Sequence, residues 1–308
     1  MNYLFGPVAS RRLGLSLGVD LIPPKTCPLD CIYCEVGRTT LKTLERREYI
    51  PAAAIIAELA AYFDACQEEP DYVTLAGSGE PTLNSALGQI IAHLKQLTAV
   101  PVAVLTNGVL LTDPQVRREL RQADVILPSL DAVTPELFAK INRPAAGVTV
   151  DGLIAGLKAL RRECNGQIWL EILLLKGLND TPAELARLKA VIQDLQPDEV
   201  HLNTAVRPVV EDYALAVDPE GLAAAAAFLG PQARVIASWP HPHHSHIDLS
   251  DADFLASLAR RPQTAADLAA VLDLPEGEVA KRLHFLEQQG RVRATRHENQ
   301  VFYQTVAG

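Results

Sequence analysis

Cys27-Pro28-Leu29-Asp30-Cys31-Ile32-Tyr33-Cys34 holds three of the five cysteines of this 308-residue chain, spaced C-x₃-C-x₂-C. Thiolates this close in sequence can face a single point, which suits a metal or iron–sulfur site. A structural zinc site closes with four protein ligands, and no fourth Cys or His stands nearby to complete a finger or ribbon. Three readings follow: a chance cluster of cysteines, a zinc knuckle with a distant fourth ligand, or a four-iron cluster on three thiolates. The last leaves one iron open to an exogenous molecule.

Outward from this stretch the chain alternates strand and helix. Residues 1–26 show alternating apolar positions that end in Leu17 to Ile22, stopped by Pro23-Pro24. The spacing then predicts helix from Pro51 to Ala65, strand Tyr72–Ala76, helix near Ser85–Leu97 and strand Pro101–Leu105. Helix Pro114–Gln122, strand Asp124–Leu127, helices from Pro135 and over Thr149–Glu163, and strand Ile168–Leu175 follow. Helix Pro182–Leu195, strand Glu199–Asn203, helix Pro219–Leu229 and strand Arg234–Ser238 close the series. Such alternation requires parallel strands covered by crossover helices, an α/β fold with its site at the carboxyl ends of the strands. The polar clusters stand there. The cysteine loop follows the first strand, Gly77-Ser78-Gly79-Glu80 the second, Thr106-Asn107-Gly108 the third and Ser129-Leu130-Asp131 the fourth.

The C-x₃-C-x₂-C spacing, with Tyr33 just before the third cysteine, resembles the signature of the radical S-adenosylmethionine (SAM) superfamily. The resemblance implies a partial TIM-type barrel of six βα units and a [4Fe-4S] cluster on Cys27, Cys31 and Cys34. It implies SAM chelated to the open iron and cleaved reductively to a 5′-deoxyadenosyl radical that abstracts hydrogen from a substrate. An external reductant of flavodoxin or ferredoxin kind is implied with it. Gly77, Ser78, Gly79 and Glu80 resemble the superfamily's Gly-Gly-Glu block for the SAM amino group, with Ser78 in place of a glycine. Asn107, Ser129 and Asp131 are candidate contacts to the SAM ribose and carboxylate by the same likeness, or caps of the next helix. Glu171 and Asn203 are further candidates; a carboxylate in the apolar run Trp169–Ile172 is costly to bury without a partner. The block around Gly6 to Asp20 and Asn203 to Arg207 resembles iron–sulfur oxidoreductases similar to the tRNA wyosine-base synthases. The second-cluster cysteines of those synthases have no counterpart in residues 1–26. Arg11 and Arg12 are solvated charges or grips for a phosphate or carboxylate, and Arg207 is a substrate anchor or a surface charge. Lys25 reads as a surface residue first and a substrate contact second; Cys66 and Cys164 read as packing residues.

Trp239 to His246 holds four of the eight histidines among prolines, which reads as an extended linker over 241–247 or a metal-binding tract. Beyond it, residues 248–308 are predicted to form helices Asp251–Arg260, Thr264–Leu272 and Glu276–Gln289 and then a two-stranded hairpin. This order resembles a small C-terminal winged-helix domain, following a 1–240 barrel domain. From Asp248 on there are nine acidic and seven basic residues, five of the latter (Lys281, Arg282, Arg291, Arg293, Arg296) on the third helix and wing. A tRNA substrate, a protein or peptide substrate, or a docking surface are the partners this tail suggests. A redox-sensing, nucleic-acid-binding regulator is the rival reading from another class, though it leaves Gly77–Glu80 and the barrel unexplained.

The bulk composition fits a globular protein: 48% hydrophobic and 21% charged residues, with no apolar run of membrane-spanning length. The net charge of −9 argues against broad electrostatic binding of nucleic acid. With no signal pattern and no disulfide framework of cysteines, a reducing, cytoplasmic setting without membrane attachment is the expectation.

Overall fold

The structure, a computed structural model, describes residues 2–66, 68–207, 209–237, 251–259, 261–272, 276–297 and 300–306. The chain enters through β1 (Leu4–Ser10) and turns into β2 (Gly14–Asp20), an antiparallel hairpin that brings Ser10 opposite Gly14. Two short strands, β3 (Thr26–Cys27) and β4 (Leu41–Lys42), bracket the cysteine loop. Then follow α1 (Ala52–Ala65), β5 (Tyr72–Ala76), α2 (Leu87–Leu97), β6 (Val102–Thr106), α3 (Pro114–Leu120) and β7 (Val125–Pro128). Helices α4 (Pro135–Asn142) and α5 (Val150–Glu163) precede β8 (Gln167–Leu174), α6 (Pro182–Leu195), β9 (Glu199–Thr204), α7 (Pro219–Leu229) and β10 (Ala233–Val235).

The eight-stranded sheet runs β1-β2-β5-β6-β7-β8-β9-β10, parallel throughout except at β1. Helix starts explain much of this regularity. Pro114, Pro135, Pro182 and Pro219 each sit in a first turn, where the missing N–H costs nothing. Asp113, Thr181 and Asp218 accept from backbone amides ahead of them as side-chain caps.

Strand alternation divides the sheet into two faces. Leu17, Val19, Val73, Leu75, Val102, Val104, Leu170, Ile172, Val200 and Leu202 join the helices in the main core. The opposite face lines an internal lumen. Its floor, near the amino ends of the strands, is closed by Leu13, Ala103, Val125, Leu127 and Trp169. Above that floor the lining turns small and polar, with Ser16, Gly18, Thr74, Ala76 and Asn203. An α/β architecture with a partial barrel was the expectation. The hairpin partner β1 is an addition that the reading of residues 1–26 as a strand region ending at Ile22 left unresolved.

The C-terminal segment has α8 (Asp251–Leu258), β11 (Gln263–Thr264), α9 (Ala265–Leu272), α10 (Glu276–Gln288), β12 (Val292–His297) and β13 (Gln300–Thr305). Its three strands pair in the order β11-β13-β12. A second hydrophobic core, with Phe254, Leu258, Leu268, Leu283 and Leu286, lies within it, and Val8 of β1 packs against that core. The arginines expected to face nucleic acid are partly spent, since Arg282 (2.5 Å) and Arg291 (3.3 Å) both pair with Asp251. Arg296 and His297, at the end of β12, line a groove with Asp212 and Ala214 to Ala216 of the barrel domain. The Pro/His tract and the linker 241–247 lie outside the described residues. No described helix is long and apolar enough to cross a membrane.

Candidate active site

The cysteine loop is stitched to its surroundings by main-chain hydrogen bonds. Lys25 N donates to Ser78 O (2.7 Å), Glu80 N to Thr26 O (3.1 Å), Asp30 N to Asn142 O (3.0 Å) and Ile32 N to Ile141 O (2.9 Å). Three side chains then reach the three sulfurs. Asn107 Nδ2 donates to Cys27 Sγ at 3.4 Å, Asn142 Nδ2 to Cys31 Sγ at 3.4 Å, and Lys25 Nζ to Cys34 Sγ at 3.0 Å. Burial pushes the Cys27 thiol up to about 12, with the Glu80 carboxylate adding to the effect, and pushes Cys31 well above its ordinary value too. Thiolates in such surroundings need a positive partner to remain ionised, which a metal centre supplies.

The donor set fits an iron–sulfur cluster better than a single ion. The ligands are three thiols without a histidine or carboxylate, and each is met by a nitrogen donor of the kind that tunes cluster sulfurs. A single zinc ion draws its ligands to within about 2.3 Å of one point.

Glycines let the Gly77–Glu80 turn press against the cysteine loop. A Cβ on Gly79 would collide with Thr26 O, and one on Gly77, whose φ is +126°, would overlap Asp20 Oδ1. Ser78 N donates to the same Asp20 oxygen at 2.8 Å. Glu80 is held by protein donors. It is 2% exposed and accepts from Thr82 N (3.1 Å) and Oγ1 (2.6 Å), Thr106 Oγ1 (2.7 Å) and Asn107 N (2.7 Å). Burial raises its pKa despite these donors. Its carboxylate ties the ends of β5 and β6 together.

Asn107, Ser129 and Asp131 do converge, lining a small cavity with Tyr33 and Asn142 beneath the cysteine loop. Asp131 is buried there and, like Glu80, is spent on protein donors. Its Oδ1 accepts from Leu173 N (2.9 Å), and its Oδ2 accepts from Asn142 Nδ2 (2.7 Å) and the Tyr33 hydroxyl. Burial raises the Asp131 pKa, and burial beside this carboxylate raises that of Tyr33 well above the ordinary phenol value, so the phenol keeps its proton. Asn142 thus links Asp131 to Cys31, while its own Oδ1 is buried without a hydrogen-bond partner. Nothing in the sequence marked Asn142, which lies 111 residues from Cys31. Ser129 is held by its amide, which donates to Thr106 O at 3.0 Å.

Glu171 and Asn203 do not line that cavity: Glu171 is bridged through its main chain to Ser129 and Leu130 at the cavity's edge, and Asn203 lines the lumen. Glu171 pairs with Arg12 and accepts from Asn203 Nδ2 at 3.2 Å, and Asn203 Oδ1 accepts from Arg11 at 3.2 Å. Burial would raise the Glu171 carboxyl, but Arg12 holds it below its ordinary value. Both side chains bond to the arginines of the β1–β2 turn. Arg207 is 3% exposed and donates to Glu35 Oε2 at 3.2 Å, so it is no surface charge. Lys25, read first as a surface residue, is a sulfur donor. Cys164 is buried in the main core and Cys66 caps the end of α1, both outside the site.

The profile of the Radical SAM superfamily matches residues 21–188, more than half of the chain. A UPF0026 protein of Helicobacter pylori strain J99 is 30% identical over 273 residues, covering 88% of each chain. A Brachyspira hyodysenteriae protein named GTPase Obg is 35% identical over 294 residues, 94% of this chain. The chain spans 43% of that relative's length, and it carries no Gly-x₄-Gly-Lys-Ser/Thr phosphate loop of its own. Among solved structures, a radical SAM methyltransferase from Sphaerobacter thermophilus shares the fold, with a TM-score of 0.56 at 20% identity over 71% of this chain and 66% of that one. The chain belongs to the radical SAM superfamily, whose enzymes work with a [4Fe-4S] cluster and S-adenosylmethionine.

Proposed function

We propose that Cys27, Cys31 and Cys34 hold one [4Fe-4S] cluster and that the chain reductively cleaves S-adenosylmethionine to start radical chemistry on a substrate held in the lumen. When bound, the cluster and SAM supply the electron transfer and the 5′-deoxyadenosyl radical that takes hydrogen from the substrate. The observation that carries the reading is the pairing of each cysteine sulfur with its own nitrogen donor: Asn107, Asn142 and Lys25. These donors spread charge from the thiolates and fix the loop's orientation. The Ser78–Gly79 turn, which lies against the cysteine loop, offers main-chain groups to the SAM ammonium. Asn107 and Ser129 offer polar contacts to the ribose from the small cavity. Tyr33, held by Asp131, fills that cavity's wall and keeps bulk water from the cluster face.

Single Cys→Ala variants at 27, 31 and 34, reconstituted anaerobically and reduced with SAM present, provide the test. Each is expected to lose 5′-deoxyadenosine formation and the SAM-induced shift of the cluster's electron-paramagnetic signal. Cleavage retained in any of the three would sink the assignment.

A further inference from the structure

Next to the cysteine loop, the buried Arg207 and the half-buried Arg11 and Arg261 converge with fewer carboxylates than guanidiniums among the described residues. Arg11, from the β1–β2 turn, lines a cleft of about 240 Å³ that also takes in Ser10, Ser16, Thr74, Gly77, Glu35 and Arg261. Arg11 also borders a second cavity that includes Arg207 and Asp267, so the two spaces meet at its side chain. Glu35, one residue after Cys34, accepts from Arg207 at 3.2 Å and lines the cleft together with Arg11 and Arg261. Asp267 lies 3.9 Å from Arg207 and is partly exposed. Among the described residues, three cations against two carboxylates leave a surplus of one, and Arg12 does not change that because Glu171 matches it.

Burial lowers Arg261 to about 9 and Arg11 to about 10, with Arg207 repelling both. Arginine stays protonated at neutral pH in either case. Arg207 Nε is buried with no hydrogen-bond partner. Arg11 donates to an amide oxygen, Asn203 Oδ1, and to the main-chain oxygens of Ile236 and Ala237. Among the described residues Arg261 makes no ion pair. Burying such an array is costly unless an anion arrives to complete it.

Resting on the radical SAM reading above, we propose that this arginine cluster binds the phosphate group of a small phosphorylated substrate whose remainder lies in the lumen beside Ser16, Thr74 and Gly77. A phosphate suits the cluster better than a carboxylate. It brings up to two charges and three acceptor oxygens, which match three guanidinium forks, whereas a carboxylate brings one charge and two oxygens. Glu35 joins the anchor to the cysteine loop, and Gly77 opens the lumen toward the turn that meets the loop. The phosphate end would therefore fix the substrate's reach to the reacting centre. Arg261 comes from the C-terminal segment, so that segment supplies one wall of the site.

The test uses the full-length, cluster-reconstituted protein and three probes at constant ionic strength: inorganic phosphate, pyrophosphate and a short single-stranded RNA, with chloride as the reference anion. Phosphate and pyrophosphate are expected to bind and to raise the melting temperature. Arg261→Gln and Arg11→Gln, checked for native far-ultraviolet dichroism, are each expected to weaken binding about tenfold or more. Binding no stronger than chloride's, variants that bind as the wild type does, or RNA binding without phosphate binding would each overturn the proposal. The two readings fail separately. Loss of phosphate binding with SAM cleavage intact removes only the substrate class, and phosphate binding without SAM cleavage removes only the radical chemistry.

Discussion

One amide does two jobs at Asn142: its Nδ2 donates to Cys31 Sγ at 3.4 Å and to Asp131 Oδ2 at 2.7 Å. Donors to cluster sulfurs favour the reduced, more negative state, so Asn142→Ala is expected to shift the cluster potential to more negative values in a redox titration. The same change leaves Asp131 short of a donor in a buried place and is expected to cost about 1–3 kcal/mol in denaturant unfolding. An unchanged potential would mean that Asn142 serves only to support Asp131. At this scale the sequence disclosed the residues whose chemistry is local. Three cysteines within eight positions read plainly as one centre, while the need for glycine at position 79, where a Cβ would clash with Thr26 O, comes from packing against the cysteine loop. The partners of Glu80 and Asp131 did not show. A carboxylate after a glycine turn looks available to a ligand until Thr82, Thr106 and Asn107 converge on it, and that convergence belongs to the packing of neighbouring strands.

Between elements, the β1–β2 turn and strand β8 are joined by Arg12 and Glu171 across the lumen, with side chains 14% and 17% exposed. The sign of the pH effect follows from the Glu171 carboxyl being held below its ordinary 4.5. The unfolded chain binds the proton more readily, so the pair's stabilisation is complete above about pH 4.5 and is lost as the pH falls through the folded-state value. Denaturant midpoints taken from pH 6 to pH 3 should therefore fall on the acid side. Glu171→Gln should flatten that part of the curve while costing about 3 kcal/mol at neutral pH, because Arg12 loses its charge partner. A variant with the wild-type acid slope would show that other carboxylates govern it. The strands were legible because their apolar runs end in polar clusters and their helices begin with proline. Strand Tyr72–Ala76 and helices Pro182–Leu195 and Pro219–Leu229 fall where the spacing put them. Strand β1 was not legible as a separate element: its apolar alternation continues into β2, and the reversal at Arg11 to Gly14 turns on Gly14 at φ +60° and on pairing that only the folded sheet supplies.

Across the whole molecule, two hydrophobic cores lie on either side of the arginine cluster. The main core is built by the helices and the outer face of the sheet. The second, around Phe254, Leu258, Leu268, Leu283 and Leu286, meets the barrel domain chiefly through β1, with Val8 packed against it. Cores with so little shared apolar contact should unfold with limited cooperativity, and calorimetry should resolve two transitions. Phe254 is 2% exposed, so Phe254→Ala removes a large buried ring and should cost the second core about 3–5 kcal/mol. Only one transition should move, and the cluster's visible absorbance should survive, because no cysteine ligand or sulfur donor lies in that core. Since Arg261 follows closely on α8, the same variant should also weaken phosphate binding below the temperature of the shifted transition. A single transition lowered as a unit would instead mean that β1 transmits the loss through the sheet, so that the C-terminal segment is an integral wall of the barrel and not a separately folding cover.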